Sequence, residues 1–229
     1  MLICYGGSFD PVHNGHLAVA RAARDACAAS VLLLPAGDPP HKDNTHADAL
    51  QRAAMLELAV AGEAGVLVDR RELQRPGPSY TVDTLRELRR ELGSAAPVAW
   101  LIGSDSLRQL HTWHRWRELF DLAHLLCVQR PGAGVDAAQL RRVAPEVLAE
   151  LEGRSVPPDT LHAAPAGGFA QLPLPQLREE SSTELRRRIA AGEAWQSWLP
   201  PAVAAYIVRN GLYRDRAAIL PPSSSSDRP

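Results

Sequence analysis

The sequence is short of cysteine, aromatic residues, net charge and long apolar runs, and each shortage argues against a class of protein. Its three cysteines, Cys4, Cys27 and Cys127, are odd in number and far apart, with no C-x-x-C pair. That speaks against a disulfide framework and a thiolate zinc site, and for reduced, buried thiols in a cytosolic protein. Net charge is −1 with a pI near 6.7, whereas a nucleic-acid binder usually carries a basic stripe. No apolar run approaches the length of a membrane span. Met1 to Tyr5 runs straight into Gly6-Gly7 without a basic n-region or a cleavage site, so no signal peptide and a cytoplasmic location are expected. Aromatics make up 5% of the chain, so the five Trp stand out beside three Phe and four Tyr.

What is present suits one α/β domain. The 229 residues, 45% hydrophobic and 22% charged, can bury a core without disulfides or metal. Short apolar runs alternate with helical periodicity. Strands are expected at Leu2–Tyr5, Val31–Leu34, Val66–Val68, Val98–Ile102, Ala123–Val128 and Phe169–Leu172. Helices are expected at Leu17–Ala29, Ala47–Ala61, Val82–Leu92, Ala137–Leu151, Ser182–Ala191 and Ala202–Asn210, the last stopped by Gly211. Alternation of this kind implies a Rossmann-like, doubly wound, mostly parallel sheet flanked by helices. One domain is expected over residues 1–213, with a C-terminal helical part from about 178 to 213. Residues 214–229 read as a tail, disordered at its end.

The first chemical signal is Gly6-Gly7-Ser8-Phe9-Asp10-Pro11-Val12-His13-Asn14-Gly15-His16, between the first strand and the first helix. It lacks the Gly-Lys-Ser/Thr of a Walker A loop and the G-x-G-x-x-G of dinucleotide enzymes. Gly6 and Gly7 let backbone approach a phosphate, and the following helix start offers free N–H groups. His13 and His16, three apart, can share one side of that start. Taken alone, H-x-x-H suits a capped helix start better than a site, and a metal site is poorly supported because no carboxylate or thiol completes a ligand set.

The full string resembles the nucleotidylyltransferase superfamily, with its H-x-G-H signature, and within it the bacterial nicotinate-nucleotide adenylyltransferases. Ser181-Ser182-Thr183-Glu184-Leu185-Arg186, a helix cap on its own merits, is similar to the family's second signature, Ser-x-Thr-x-x-Arg. Ile102-Gly103-Ser104-Asp105 and Pro39-Pro40-His41-Lys42 also match family stretches, as do Pro78-Ser79-Tyr80-Thr81 and Thr112-Trp113. The match runs from about residue 3 to Asn210-Gly211-Leu212-Tyr213, is poor over 133–175, and departs from the family at Glu180 and His114.

The resemblance implies transfer of AMP from ATP to nicotinate mononucleotide, releasing pyrophosphate, in NAD biosynthesis. It implies His13, His16 and Arg186 as catalytic residues. ATP would be bound by these three with Gly6, Gly7, Ser8, Phe9, Gly103, Asp105, Ser181 and Thr183, and the acceptor by Lys42, Ser79, Tyr80, Thr81 and Trp113. Mg²⁺ would ride on ATP phosphates and water, with no protein metal ligands. Arg187 and Arg188 have no family match and read as a solvated face paired with Glu184 or Glu193. Three alternatives stay open: an adenylyltransferase for nicotinamide mononucleotide or phosphopantetheine, a non-catalytic nucleotide-binding regulator, and a metal-dependent phosphohydrolase using His13, His16, His41 and His46. A homo-oligomer is also left open.

Overall fold

The structure is a computed structural model that describes residues 1–37, 46–129, 136–174 and 180–214. Lys42 and the rest of Pro39-Pro40-His41-Lys42 fall outside these residues, as does the tail from 215. In chain order the elements are β1 (Leu2–Gly7), α1 (Asn14–Cys27), β2 (Ser30–Pro35), α2 (Ala49–Val60), β3 (Val66–Val68), α3 (Thr81–Leu92), β4 (Val98–Gly103) and α4 (Ser104–Arg108). They continue with α5 (Leu119–Leu122), β5 (His124–Gln129), α6 (Ala137–Val143), α7 (Pro145–Leu151), β6 (Phe169–Pro173), α8 (Ser182–Ala191) and α9 (Pro201–Asn210).

Among the described residues, six strands form one sheet in the order β3-β2-β1-β4-β5-β6, and every pairing is parallel. Strands covered on both faces read as continuous apolar runs, because alternate side chains enter opposite cores. Ile3, Leu33, Leu101, Leu126 and Ala170 pack with α1, α2, α8 and α9. Their neighbours Cys4, Leu34, Trp100, Leu125, Cys127 and Phe169 pack on the other face with α3 to α7. The three cysteines are free and buried, as expected, and burial pushes their thiols up, Cys4 to about 12 and Cys27 to about 11.

The expected elements are all present, with two corrections of extent. Helix α1 starts at Asn14 rather than Leu17, because His13 serves as its N-cap. The helix expected over Ala137–Leu151 is two helices. Pro145 opens the second, and Ala144 before it sits at φ −153° and ψ 62°; a proline has no N–H to give the preceding turn and disfavours helical backbone in the residue before it.

Strand order reverses between β1 and β4: from β1 the chain winds outward through β2 to β3, then returns beside β1 as β4. In open α/β sheets the loops leaving the strand ends diverge at such a point and leave a crevice for ligands.

Candidate active site

At that crevice lies a cleft of about 280 Å³. Its lining includes His13, His16, Gly103, Asp105 and Ser181 from the expected site, together with Tyr5, Gly15, Glu180 and Ser182. The structure therefore gathers residues from three separated segments: the β1–α1 junction, the end of β4 and the start of α8.

The histidines form one unit. Their ring centroids lie 3.7 Å apart with planes tilted by 31°. The His13 backbone N–H donates to His16 Nδ1 at 3.2 Å, so a neutral His16 carries its proton on Nε2 and keeps that N–H as a donor. Phe9 and Tyr5 pack against the His16 ring, centroids 5.0 and 6.1 Å away. Burial holds both imidazoles neutral: His13 falls to about 4, and His16 falls well below its usual value, first by burial and then by its neighbour His13. His13 Nδ1 is buried with no hydrogen-bond partner among the described residues, although buried polar atoms are normally satisfied. Gly15 permits this arrangement, since a Cβ there would lie 2.9 Å from His13 Nδ1.

The other ATP candidates are distributed around this unit. Gly6, Gly7 and Ser8 form the end of β1 and the turn after it; a Cβ at Gly6 would meet the Trp100 ring at 2.8 Å. Phe9 is a buried core residue with φ 49° rather than a cleft-lining one. Asp105 stands at the cleft, largely exposed, and is ion-paired with Arg108. Ser181 caps α8 by accepting from the Glu184 N–H at 3.2 Å. Arg186 donates to the Asp10 backbone carbonyl at 2.6 Å and to Thr183 Oγ1 at 3.4 Å. Arg187 pairs with Glu184 and Glu193 and Arg188 with Glu184, matching the solvated face expected for them.

The described acceptor candidates, Ser79, Tyr80, Thr81 and Trp113, form a second group, and none of these four is among the residues lining the cleft. Ser79 Oγ donates to the Glu72 carbonyl at 3.4 Å, Tyr80 is the N-cap of α3, and Thr81 is its first residue. Tyr80 stacks on His114, centroids 4.6 Å apart. That contact joins the α3 start to the segment carrying Trp113, and gives a structural role to His114, which departs from the family. Trp113 is half-buried, resting on the core cluster that contains Trp116. Glu180, the other departure, lines the cleft.

Several structural supports were not singled out from the sequence. Asp10 is 2% exposed, and its carboxylate receives Tyr213 Oη at 2.7 Å, the His46 N–H at 2.9 Å and the Ala47 N–H at 3.2 Å. Arg52 is fully buried on α2 and donates to the carbonyls of Ser8 at 2.7 Å and Ala36 at 2.8 Å. Beneath the α3 start, buried Glu72 accepts from Thr84 Oγ1 at 2.7 Å, and burial raises its carboxyl above the usual range. Asp10 lay inside a quoted string, but nothing in spacing joins it to Tyr213. Arg52 gives only a faint signal, a lone cation beside the apolar stretch Ala53-Ala54-Met55-Leu56.

The buried histidines fix how stability depends on pH. His13, His16 and His124 all have lowered folded-state values, His124 chiefly through burial. The folded protein therefore binds fewer protons than the unfolded chain below the ordinary histidine value of 6.5. Their contribution is complete above that value and is lost as pH falls toward the folded values. His13 alone, lowered to about 4, is expected to cost on the order of 2 kcal/mol by about pH 5. Urea unfolding from about pH 7.5 down to 5 reads this; flat stability across the window would show that the rings are not held neutral.

Comparison with known proteins agrees with this geometry. The cytidylyltransferase-like family matches residues 4–188. A Stenotrophomonas maltophilia protein carrying the name probable nicotinate-nucleotide adenylyltransferase is 53% identical, over 93% of this chain and 96% of its own. A Chromobacterium violaceum protein of the same name is 49% identical, over 92% of this chain and 97% of its own. Among solved structures, a Plasmodium falciparum nicotinic acid mononucleotide adenylyltransferase complexed with NaAD superposes with a TM-score of 0.69 at 16% identity. That likeness covers 93% of this chain and 96% of the other, and bears on the fold.

Proposed function

Since the chain belongs to the cytidylyltransferase-like family, we propose a function for its cleft from that premise. The protein is a nicotinate-nucleotide adenylyltransferase: it transfers AMP from ATP to nicotinate mononucleotide, giving nicotinate adenine dinucleotide and pyrophosphate, a step of NAD biosynthesis. The observation that carries the reading is the pair of neutral imidazoles stacked at the β1–α1 junction, inside the cleft at the sheet's reversal point.

The chemistry follows from the groups. The acceptor's phosphate monoester has a second pKa of about 6, so at neutral pH it is already largely an anion and needs no general base. One of its oxygens attacks the α-phosphorus while the bond from that phosphorus to the bridging oxygen breaks, and pyrophosphate leaves with the electron pair. The protein's task is to align two anions and stabilise charge on the oxygens around the reacting centre. His16 Nε2–H, the unsatisfied ring of His13 and the first-turn amides of α1 are the donors on one side. Arg186, whose guanidinium offers a fork of donors, serves the departing pyrophosphate, with Ser181 and Thr183 beside it. Neutral imidazoles suit this role, since they donate hydrogen bonds without titrating near neutral pH.

Magnesium would enter with the triphosphate and its water, and the exposed Asp105 carboxylate at the cleft is the chain's candidate to hold that water. The ion would supply charge neutralisation on the phosphate oxygens. The acceptor is assigned to Ser79, Tyr80, Thr81 and Trp113, with Lys42 completing the group from the sequence match. We take residues 1–213 as one unit, since Asp10 and Tyr213 are directly bonded. The buried free thiols are in keeping with a reducing, cytoplasmic setting.

The test is pyrophosphate release from ATP and magnesium with nicotinate mononucleotide, nicotinamide mononucleotide or phosphopantetheine as acceptor. The acid nucleotide is expected to give the highest kcat/KM; a preference for either other acceptor overturns the substrate assignment. Trp113→Ala is expected to raise the acceptor KM about fivefold with little change in kcat, since ring stacking of roughly 1 kcal/mol is present before and during reaction. An unchanged acceptor KM would return Trp113 to a purely packing role.

A further inference from the structure

Asp10 lies at the middle of an assembly that the reaction as described does not use. Its side chain is held by the phenol of Tyr213 and by the N–H groups of His46 and Ala47. Its backbone carbonyl is held by Arg186, and the next carbonyl, that of Pro11, receives Ser182 Oγ at 2.9 Å. The turn between β1 and His13 is therefore fastened to the α2 entry, to α8 and to Tyr213, past the end of α9. Asp10 and Tyr213 are 203 positions apart in sequence.

Two further features converge on the same turn. Phe9, beside Asp10, has φ 49°, and Tyr213 has φ 64°. Aromatic residues adopt left-handed backbone at a cost on the order of 1 kcal/mol, and such conformations persist where the surroundings over-determine them. Both residues are buried, Phe9 at 1% and Tyr213 at 8% exposed. The Tyr213 hydroxyl stays protonated well into alkaline solution, raised first by burial and then by the Asp10 charge, so it remains a donor.

We propose that Tyr213 is a positioning residue for AMP transfer: through Asp10 it fixes the turn whose carbonyl aims Arg186 across the start of α1. Arg186 is the link that makes this more than packing. Its guanidinium divides between the Asp10 carbonyl and Thr183 Oγ1. A turn that drifts releases one fork of Arg186 from its place. The segment that follows α9 thereby becomes part of the machinery for the leaving group. The inference rests on the adenylyl-transfer reading above.

The experiment is a double-mutant cycle between Tyr213→Phe, which deletes only the hydroxyl, and Arg186→Ala. It is read as kcat and the two KM values by pyrophosphate release, with thermal melting as a fold check. Wild-type release is measured first; its absence would sink the reaction and leave the cycle unneeded. Given wild-type activity, Tyr213→Phe is expected to lower kcat about tenfold, the scale at which small misplacement of a reacting group shows. The acceptor KM is expected to stay within about twofold, and in the Arg186→Ala background the same change is expected to cost less than about twofold. A folded Tyr213→Phe enzyme with wild-type kcat overturns the proposal, as does an equal tenfold loss in both backgrounds. If Tyr213→Phe does not fold, Asp10→Asn probes the contact from the other side. Its kcat loss must likewise disappear in the Arg186→Ala background, or the proposal fails.

Discussion

Replacing His16 with alanine is expected to lower kcat roughly 10²–10³-fold, the typical loss for one preorganised donor aimed at a developing oxyanion. The local structure explains why this ring matters more than an average polar contact. Its Nδ1 is committed to the His13 N–H, so its tautomer is set and Nε2–H faces a ligand without having to reorganise. Phe9, Tyr5 and His13 surround it on three sides, which excludes water and strengthens any hydrogen bond made there. Alanine removes the donor and leaves the His13 N–H to find water. His16→Asn is expected to recover part of the rate, because an amide can accept from that N–H and donate outward. Pyrophosphate release at saturating ATP and acceptor reads both variants; near-wild-type turnover in His16→Ala would take the ring out of the reaction.

Arg52→Met is the change expected to cost most in stability, about 3 kcal/mol in urea unfolding at neutral pH. The guanidinium is buried and bridges Ser8 O at the β1 turn to Ala36 O just past β2. Methionine replaces much of the packed stem, so the loss isolates the hydrogen bonds. The two carbonyls are part-buried, and losing a charged donor from such groups costs roughly 1–3 kcal/mol each where water replaces it poorly. Both carbonyls belong to loops on the ligand side of the sheet, so the ATP KM is expected to rise with the loss of stability. A change below about 1 kcal/mol would mean that water or a neighbouring group takes over both carbonyls.

Much of the fold was legible because its signals are local. Val66–Val68 and Ser182–Ala191 have the extents their sequence patterns imply, and Gly211 ends α9 in left-handed conformation as its position suggested. The missed break at Pro145 was local too: proline at a first helical position is compatible with a new helix, and periodicity alone does not separate one helix from two in register. The site was legible in part for a different reason. His13, Gly15 and His16 sit within four residues, so their chemistry is written in one string, whereas Arg52 and Tyr213 act on the turn after β1 from 44 and 203 positions away.

The sequence by itself determined the parallel α/β sheet and, through a dense motif that resembles a known family, the kind of reaction, because apolar period, helix starts and such a motif are short-range properties of the chain. The tertiary structure alone decided that His13 and His16 stack as neutral rings, that Arg52 and Asp10 hold the turn beneath them, and that Tyr213 closes on it. Those outcomes depend on burial and on donors meeting acceptors across as many as 203 residues. Desolvation and hydrogen-bond geometry come into being only when distant segments pack, and no spacing along the chain encodes them.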